Sequence, residues 1–388
     1  MKGGEKLMIN QVKSTFLELF NNLEGVKFFF SPGRVNIIGE HIDYNGGYVM
    51  PCAISLGTYF AVRLNNLTKV RAYSLQFKEE GLYEFELEDD EKTHKWIDYI
   101  KGIIKIFNIK NGFDVVCSGT IPHSSGLSSS ASFTTGLAFA VTTLLKKPVK
   151  NVELALKAKK VENEYMGVNC GIMDQFIVCN GIKNHALLLN CDTLQYEKIP
   201  MDLKEFSLVI INTNKNRKLV DSKYNERKKE SEEILQILHE KGYLYNQLCE
   251  IKEEEFSSLL SLIEDEVLKK RFRHIVSENI RTLKAAEALK KGDIHLLGKY
   301  LIESHNSLKN DYEVSGVELD TIVESFLKQD GCIGSRMTGA GFGGCAIALV
   351  ESTKVDKAKE QVSKDYIEKI GYAPSFYEVE ISDCQIQL

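Results

Sequence analysis

The sequence predicts an α+β fold built from two domains. Strand-like apolar runs, some with alternating polarity, dominate the first part of the chain, whereas helical periodicity dominates the second half. With 388 residues, 43% of them hydrophobic, the chain is long enough to form two packed cores. A polar segment after Pro200 precedes a fresh apolar strand, and we therefore place the domains at residues 1–203 and 204–388.

Local patterns predict the elements of the N-terminal domain. Val12, Phe16 and Phe20 recur at helical spacing and indicate an amphipathic first helix. Short runs rich in aromatic and β-branched residues predict strands at residues 28–30, 48–53, 59–64, 70–74, 83–87, 113–117, 185–190 and 196–199. Longer stretches of helical period predict helices at residues 96–107, 129–145 and 152–165.

The C-terminal domain begins with an apolar run that is typical of a buried strand, at residues 206–211. Helical periodicity then predicts helices at residues 223–238, 277–290, 296–307 and 319–327. The domain closes with a strand, a helix and a last strand, at residues 345–350, 354–370 and 376–381.

Charge and cysteine content argue against several classes of partner. A net charge of -5 provides no global attraction to nucleic acid or to an anionic membrane. No charged-then-apolar signal precedes Phe30, and no apolar run reaches the ~20 residues that span a bilayer. Nine cysteines without paired spacing indicate reduced thiols and a cytoplasmic protein. We expect a monomer or weak dimer that binds neither nucleic acid nor membrane.

A first polar cluster, residues 33–47, follows a strand-like apolar run. It brings together Arg34, Glu40, His41 and Asp43 with four glycines. Side chains of this kind suit a small molecule with many hydroxyls, and the glycines let backbone approach it, so sugar recognition is favoured. Two alternatives stay open. The segment is a turn whose charges pair with one another, or Glu40, His41 and Asp43 bind a metal without a known zinc spacing.

A second cluster, the serine-rich residues 118–132, lies between a predicted strand and a predicted helix. The free N–H groups and the positive dipole end of a helix N-terminus attract phosphate. Serine hydroxyls add donors, and one of them is a candidate magnesium ligand. No Gly-Lys-Ser/Thr follows, so the segment is not a Walker loop. Helix caps and turns without a ligand remain the alternative.

A third cluster, residues 339–344, contains the glycine spacing of a dinucleotide-binding fingerprint. That fingerprint must follow a strand and open a helix, whereas here the apolar run 345–350 reads as a buried strand. A nicotinamide enzyme is therefore disfavoured. A glycine-rich turn at this place packs against a substrate or a second loop, or is simply a tight turn.

Together the three clusters resemble the motifs of the GHMP kinases, and the first resembles the galactokinase signature in particular. The resemblance runs from about Phe30 to the C-terminus. Further matches lie at residues 96–102, 170–176, 304–308, 311–315 and 377–380. The chain departs from the family pattern at residues 123–125, at Phe133-Thr134 and at Cys384.

The resemblance implies a fold and an activity. The expected fold has an N-terminal domain like domain 2 of ribosomal protein S5 and a C-terminal ferredoxin-like domain, with the site in the cleft between them. The implied reaction is ATP-dependent phosphorylation of the C1 hydroxyl of α-D-galactose to galactose 1-phosphate, which is the entry step of galactose catabolism. Related kinases of N-acetylgalactosamine, galacturonate or arabinose are the alternative. A non-enzymatic galactose sensor is disfavoured because residues 128–132 are intact.

The resemblance also assigns roles to residues of this sequence. Taken alone, Asp174 would be a helix cap. By resemblance it is the proposed base, and Arg34 holds it ionised and offsets phosphoryl charge. The implied sugar contacts are Glu40, His41, Asp43, Gly171, Asp174 and Tyr224. The implied ATP contacts are Ser124, Ser125, Gly126, Leu127, Ser128, Ser129 and Ser130. Ser130 and Glu162 match the pair near Mg²⁺.

Overall fold

The computed structural model describes residues 3–122, 125–215 and 220–388. The helices, in chain order, are α1 (Gly3–Phe20), α2 (Ile97–Phe107), α3 (Ser129–Leu144), α4 (Asn151–Lys160), α5 (Met173–Asn180), α6 (Val220–Glu240), α7 (Glu253–Leu260), α8 (Glu266–Lys290), α9 (Ile294–Asn310), α10 (Val317–Leu327) and α11 (Val355–Ile370). The strands are β1 (Lys27–Asn36), β2 (Tyr48–Val49), β3 (Pro51–Leu64), β4 (Lys69–Ser74), β5 (Tyr83–Glu86), β6 (Phe113–Gly119), β7 (His185–Asn190), β8 (Tyr196–Pro200), β9 (Phe206–Asn212), β10 (Cys332–Thr338), β11 (Cys345–Glu351), β12 (Ser375–Glu378) and β13 (Ile386–Gln387).

The first sheet has the order β13-β1-β3-β6-β4-β5. Its β4 and β6 strands run parallel, and its other neighbours are antiparallel. Helix α1 lies on this sheet because Val12, Phe16 and Phe20 are buried in one apolar cluster with strand residues. Helix α3 packs against β1 and β3. A smaller sheet, β2-β7-β8, lies nearby, with β7 in contact with β3.

Strand β1 is longer than the sequence predicts. The apolar run ends at Phe30, but the backbone stays paired with β3 through Asn36, after a register shift between Pro32 and Gly33. The added residues are buried although several are polar, because they face the interior where the two domains meet. Arg34 therefore projects from a rigid strand and not from a loop.

The C-terminal sheet has the order β10-β11-β9-β12, with every neighbouring pair antiparallel. Along the chain its elements follow a βαββαβ sequence, with helices α6 to α10 between β9 and β10. Numbered within the domain, the strand order is 4-1-3-2, which is the ferredoxin-like arrangement. The predicted ferredoxin-like domain is therefore confirmed.

Several element boundaries differ from those predicted. Residues 51–64 form one strand, where the sequence suggested two shorter strands. A π-helical segment, Val161–Met166, continues the chain after α4. Helix α7 and strand β10 were not predicted, since the sequence of β10 contains glycine, serine and arginine and has no apolar run.

The last part of the chain returns to the first sheet. Strand β12 ends at Glu378, Ile381 bridges Ile54, and β13 pairs with β1. One buried cluster also joins the two halves, since it contains Val35 from β1 and Ile210 and Ile347 from the C-terminal sheet. The boundary between residues 203 and 204 remains a prediction. Among the described residues, none of the helices combines the length and apolar character needed to cross a membrane.

Candidate active site

A cavity of about 280 Å³ lies where the three sequence clusters converge. Its lining comes from β1 and the loop after it, the start of α3, the segment before α5, helix α6 and the glycine turn after β10. The lining residues that the sequence singled out are Arg34, Glu40, His41, Asp43, Gly126, Ser128, Ser129, Ser130, Glu162, Gly171, Asp174, Tyr224 and Gly339.

Arg34 and Asp174 form a two-pronged ion pair at this cavity. The Nε of Arg34 donates to Oδ1 of Asp174 and its Nη2 donates to Oδ2, both at 2.8 Å. Nη1 donates to the Gly126 carbonyl at 2.6 Å, which ties the pair to the serine-rich loop. Burial opposes the charge of Arg34, but Asp174, Glu40 and Asp43 raise the pKa of its guanidinium above the ordinary value. Asp174 does not cap α5, since Ile172 is the N-cap residue.

Glu40 is held by the C-terminal domain. Its Oε1 accepts hydrogen bonds from the Gly339 N–H at 2.7 Å and from the Thr338 hydroxyl at 3.0 Å. Nη2 of the fully buried Arg336 lies 3.3 Å from the same oxygen. Oε2 makes no hydrogen bond to the described residues. One carboxylate oxygen is thus anchored, which leaves the other for a ligand.

Both ring nitrogens of His41 have protein partners. Nε2 lies 3.2 Å from the Ala340 carbonyl, and Nδ1 lies 2.9 Å from the Tyr44 hydroxyl. Burial, reinforced by His274 and nearby arginines, lowers the pKa of His41 to about 3, so the ring is neutral. A carbonyl only accepts, so Nε2 carries the proton and Nδ1 accepts from Tyr44. His41 therefore faces the cavity with its ring and without a free nitrogen.

Asp43 and Gly171 are in contact. A Cβ added at Gly171 would lie 1.7 Å from Oδ2 of Asp43, so only glycine fits there. Burial, together with the charges of Asp174 and Glu40, raises the pKa of Asp43 to about 7. Tyr224 stands beside this group, with its ring 5.5 Å from the ring of His41 and 5.3 Å from the ring of Tyr44.

The serine-rich loop brings the start of α3 to the ion pair. Ser128, in the left-handed backbone region with φ 60°, donates from its hydroxyl to Asp174. Two residues further, in the first turn of α3, the Ser130 hydroxyl donates to Oε2 of Glu162 at 3.0 Å, and Gln175 Nε2 donates to Oε1 at 2.8 Å. Burial is the main cause that raises the pKa of Glu162 to about 7.

Two predicted nucleotide contacts lie away from the cavity lining. Leu127 is buried in the core, and its carbonyl accepts the Arg34 N–H at 3.3 Å. Ser125 is buried and its hydroxyl accepts the Leu127 N–H at 3.4 Å. Both residues therefore support the backbone of the serine-rich loop on the side that faces away from the cavity. Ser124 lies outside the described residues.

The alternatives left open by the sequence receive no support from this geometry. Among the described residues, no group of three or more His, Cys, Asp or Glu side chains is placed to hold a metal, including Glu40, His41 and Asp43. The charges of the first cluster also do not simply pair with one another. Arg34 binds Asp174, and Glu40 binds groups on β10 and the turn after it.

Sequence reasoning missed some residues at this place. Arg336 is a lone arginine in strand β10, whose sequence has no strand-like pattern, and nothing in that sequence marks it as buried. Gln175 was part of a matched motif but received no role.

Beside α3 lies a second hollow, of about 480 Å³, in which Phe77 and Trp96 stack with ring centroids 6.3 Å apart. Phe133, in the second turn of α3, contacts the edge of Trp96 and so connects this hollow to the serine-rich loop.

Comparison with known proteins first defines the class. Residues 98–181 match the N-terminal domain of the GHMP kinases, and residues 285–368 match their C-terminal domain. A mevalonate kinase structure that is 22% identical shares the fold, with a TM-score of 0.62 over 92% of this chain and 99% of that one. The fold and the cleft are thus those of a GHMP kinase, a class that uses a nucleotide as phosphoryl donor.

Closer relatives then define the family. Residues 14–64 match the galactose-binding signature of galactokinases. Galactokinases of Clostridium beijerinckii and Enterococcus faecalis are 48% and 47% identical, over 97% and 98% of this chain and 98% of each relative. The crystal structure of Lactococcus lactis galactokinase complexed with galactose has a TM-score of 0.95 at 44% identity, over 98% of this chain and 100% of that one. The chain belongs to the galactokinase family.

Proposed function

We propose that this chain phosphorylates the C1 hydroxyl of α-D-galactose with ATP, giving galactose 1-phosphate. The observation that carries the proposal is Asp174, whose two oxygens are fixed by Arg34 at the cavity beside the start of α3. A carboxylate held in this way accepts the hydrogen bond of a sugar hydroxyl and takes its proton as the oxygen attacks phosphorus. The guanidinium beside it offsets charge on the transferred group.

The sugar occupies the part of the cavity lined by Glu40, Asp43 and Asp174. Three carboxylates around one small cavity accept hydrogen bonds from several hydroxyls, and an epimer would leave one of them unpaired. Gly171 allows Asp43 to approach, and Tyr224 supplies a ring surface. His41 contributes its ring and keeps the turn containing Ala340 in place, since both of its nitrogens are occupied.

The ATP phosphates lie at the N-terminus of α3, where the amides after Gly126 and the serine hydroxyls converge. The base occupies the aromatic hollow lined by Phe77 and Trp96, because aromatic side chains suit a planar heterocycle. Phe133 of α3 contacts Trp96, so the hollow lies beside the same helix whose N-terminus is assigned to the phosphates. This assignment gives the hollow a role that the sequence did not suggest.

Mg²⁺ binds at Ser130 and Glu162. Mg²⁺ prefers oxygen ligands and is usually held by one or two protein groups together with substrate phosphates, and a hydroxyl 3.0 Å from a carboxylate fits that requirement. Gln175 holds the other Glu162 oxygen and so orients the carboxylate. When bound, the metal neutralises phosphate charge.

We also propose that the protein works in the cytoplasm as a monomer or weak dimer that contacts neither nucleic acid nor membrane. All nine cysteines lie in the described part of the chain and are free thiols, which fits a reducing compartment. The net charge of -5 argues against binding to nucleic acid or to an anionic membrane.

A substrate panel tests the proposed reaction. ADP release with magnesium-ATP is measured for galactose, glucose, N-acetylgalactosamine, galacturonate, arabinose and mevalonate. We expect the highest kcat/KM with galactose and a rate lower by about 10²-fold or more for glucose, whose changed hydroxyl leaves a buried carboxylate unpaired. A higher kcat/KM with any other compound of the panel would assign the cleft to that compound instead.

A further inference from the structure

A buried carboxylate from the C-terminal domain holds the backbone of residues 39–43, which we call the sugar loop. Glu278, in α8, is fully buried, and its Oε1 accepts the N–H of Gly39 at 3.1 Å and the N–H of Glu40 at 3.4 Å. The Ser304 hydroxyl donates to the same oxygen at 2.6 Å. Arg281 binds the other oxygen, Oε2. Glu278 does not line the cavity, so it contacts the loop only from behind.

Glu278 is ionised in this position. Burial opposes its charge, but Arg281, His274 and Arg336 outweigh burial and lower the pKa of the carboxyl to about 2. An ionised carboxylate only accepts hydrogen bonds, and such charge-assisted bonds are stronger than neutral ones. The amides of Gly39 and Glu40 are therefore both drawn towards one fixed oxygen.

The loop adopts a backbone that needs this support. Gly39 has φ +98°, and a Cβ there would lie 2.6 Å from the Tyr48 carbonyl, so the chain turns sharply against its neighbour. His274 Nε2 lies 3.0 Å from the carbonyl of Glu40 and fixes the other side of that residue. Two side chains of α8 thus set the backbone of Glu40, while Thr338 and Gly339 hold its side chain.

We infer that Glu278 is a positioning residue for sugar recognition, because it aims Glu40 into the cavity by binding the Gly39 and Glu40 amides. The inference rests on the proposed function. A neutral amide at residue 278 would keep an acceptor for these N–H groups but would turn its NH₂ towards Arg281. The backbone of Glu40 would then lose its hydrogen bonds to a charged group. The Oε2 atom of Glu40 would no longer be held towards the sugar.

The variant Glu278→Gln tests this role by separating the two substrates. We expect the KM for galactose to rise by about 10-fold or more, the scale of one lost charge-assisted hydrogen bond, while the KM for magnesium-ATP stays within about twofold. Galactose titration followed by thermal shift provides a readout without turnover, and the midpoint of the titration should move with the KM. Unchanged galactose values in a folded variant would overturn the inference.

Asp114→Asn is the matched control. Asp114 is also a buried carboxylate bound by two arginines, Arg63 and Arg71, but it lies on β6 and contacts no part of the sugar loop. This change should lower thermal stability and leave the KM for galactose at the parental value. A rise equal to that of Glu278→Gln would mean that loss of stability alone explains both, and would also overturn the inference.

Ser304→Ala decides the question if Glu278→Gln does not fold. It removes one donor to Oε1 and should raise the KM for galactose to a smaller extent, with the KM for magnesium-ATP unchanged. A parental KM for galactose in this variant would then reject the role of Glu278. Failure of the proposed function is distinguishable, since in that case the parental protein itself would not phosphorylate galactose.

Discussion

Arg34 lies in contact with Asp174 and near two further carboxylates, Glu40 and Asp43. Burial, together with repulsion from the carboxylates of Asp174 and Glu40, raises the pKa of Asp43 to about 7. The guanidinium is the counter-charge that lets Asp174 stay close to Glu40 and Asp43. Because Arg34 lies in strand β1, its backbone is held by the sheet, and its charge keeps a fixed place in the cleft.

Asp174→Asn removes the proton acceptor while keeping the size of the side chain. We expect kcat to fall by about 10²-fold or more, the usual contribution of a positioned acid–base group. The measurement is the initial rate with saturating galactose and magnesium-ATP. Calorimetry with galactose confirms that the variant still has a sugar site. A folded, galactose-binding variant with near-parental kcat would remove Asp174 from the reaction.

The residue types at the site were predictable, but their contacts were not. Glu40, Asp43 and Asp174 stand out because carboxylates cluster beside glycines in short segments. By family resemblance His41 was predicted to contact the sugar, and that contact stays a prediction. In the structure, the two ring nitrogens of His41 contact the Tyr44 hydroxyl, three residues away in sequence, and the Ala340 carbonyl, 299 residues away. No local sequence pattern predicts the contact with Ala340.

Helix α3 and the loop before it form the element to which we assign the ATP phosphates. Its first turn carries Ser130, and Glu162 reaches it from the π-helical segment after α4. A π-helical turn changes which side chains face a neighbouring helix, and such turns are frequent at functional sites. The sequence pattern fitted one continuous helix at residues 152–165, so this local change was not visible in it.

Ser130→Ala tests the role of this element. Removing the hydroxyl should raise the magnesium concentration needed for half-maximal rate and raise the KM for ATP by about 10-fold, the scale of one hydrogen bond to a charged group. Galactose affinity should not change. Thr143→Ala, at the far end of the same helix, is the control and should behave like the parental protein. An equal response of the two variants would reject the magnesium assignment.

Strand and helix patterns predicted most elements, and two of the exceptions, the end of β1 and strand β10, share a cause. Strand β1 extends to Asn36 and β10 contains Arg336, yet both have polar sequences that read as loop. Arg336 Nη1 of β10 donates to the carbonyls of Asn36 and Ile37, at the end of β1 and just after it, so a polar contact between distant parts of the chain holds both segments. Local sequence patterns reveal which apolar residues are buried. They do not reveal buried polar groups whose partners are distant in the sequence.

The cleft exists because the two sheets are packed together along a shared core. Val35 from the first sheet and Ile210 and Ile347 from the second belong to one buried cluster. The return of β13 to β1 ties the C-terminal end of the chain to the first sheet. Residues of the C-terminal half thus hold the loop of the other half that carries Glu40, since Glu278 accepts the Gly39 N–H and the Gly339 N–H donates to Glu40.

The position of the transferred phosphate tests the central claim most directly. The parental protein is incubated with magnesium-ATP and α-D-galactose, and the product is examined by proton-coupled ³¹P NMR. We expect a new phosphate signal coupled to the anomeric proton, because the proposed role of Asp174 is to activate the C1 hydroxyl. A signal coupled to the C6 protons, or ADP formed without a sugar phosphate, would contradict the account.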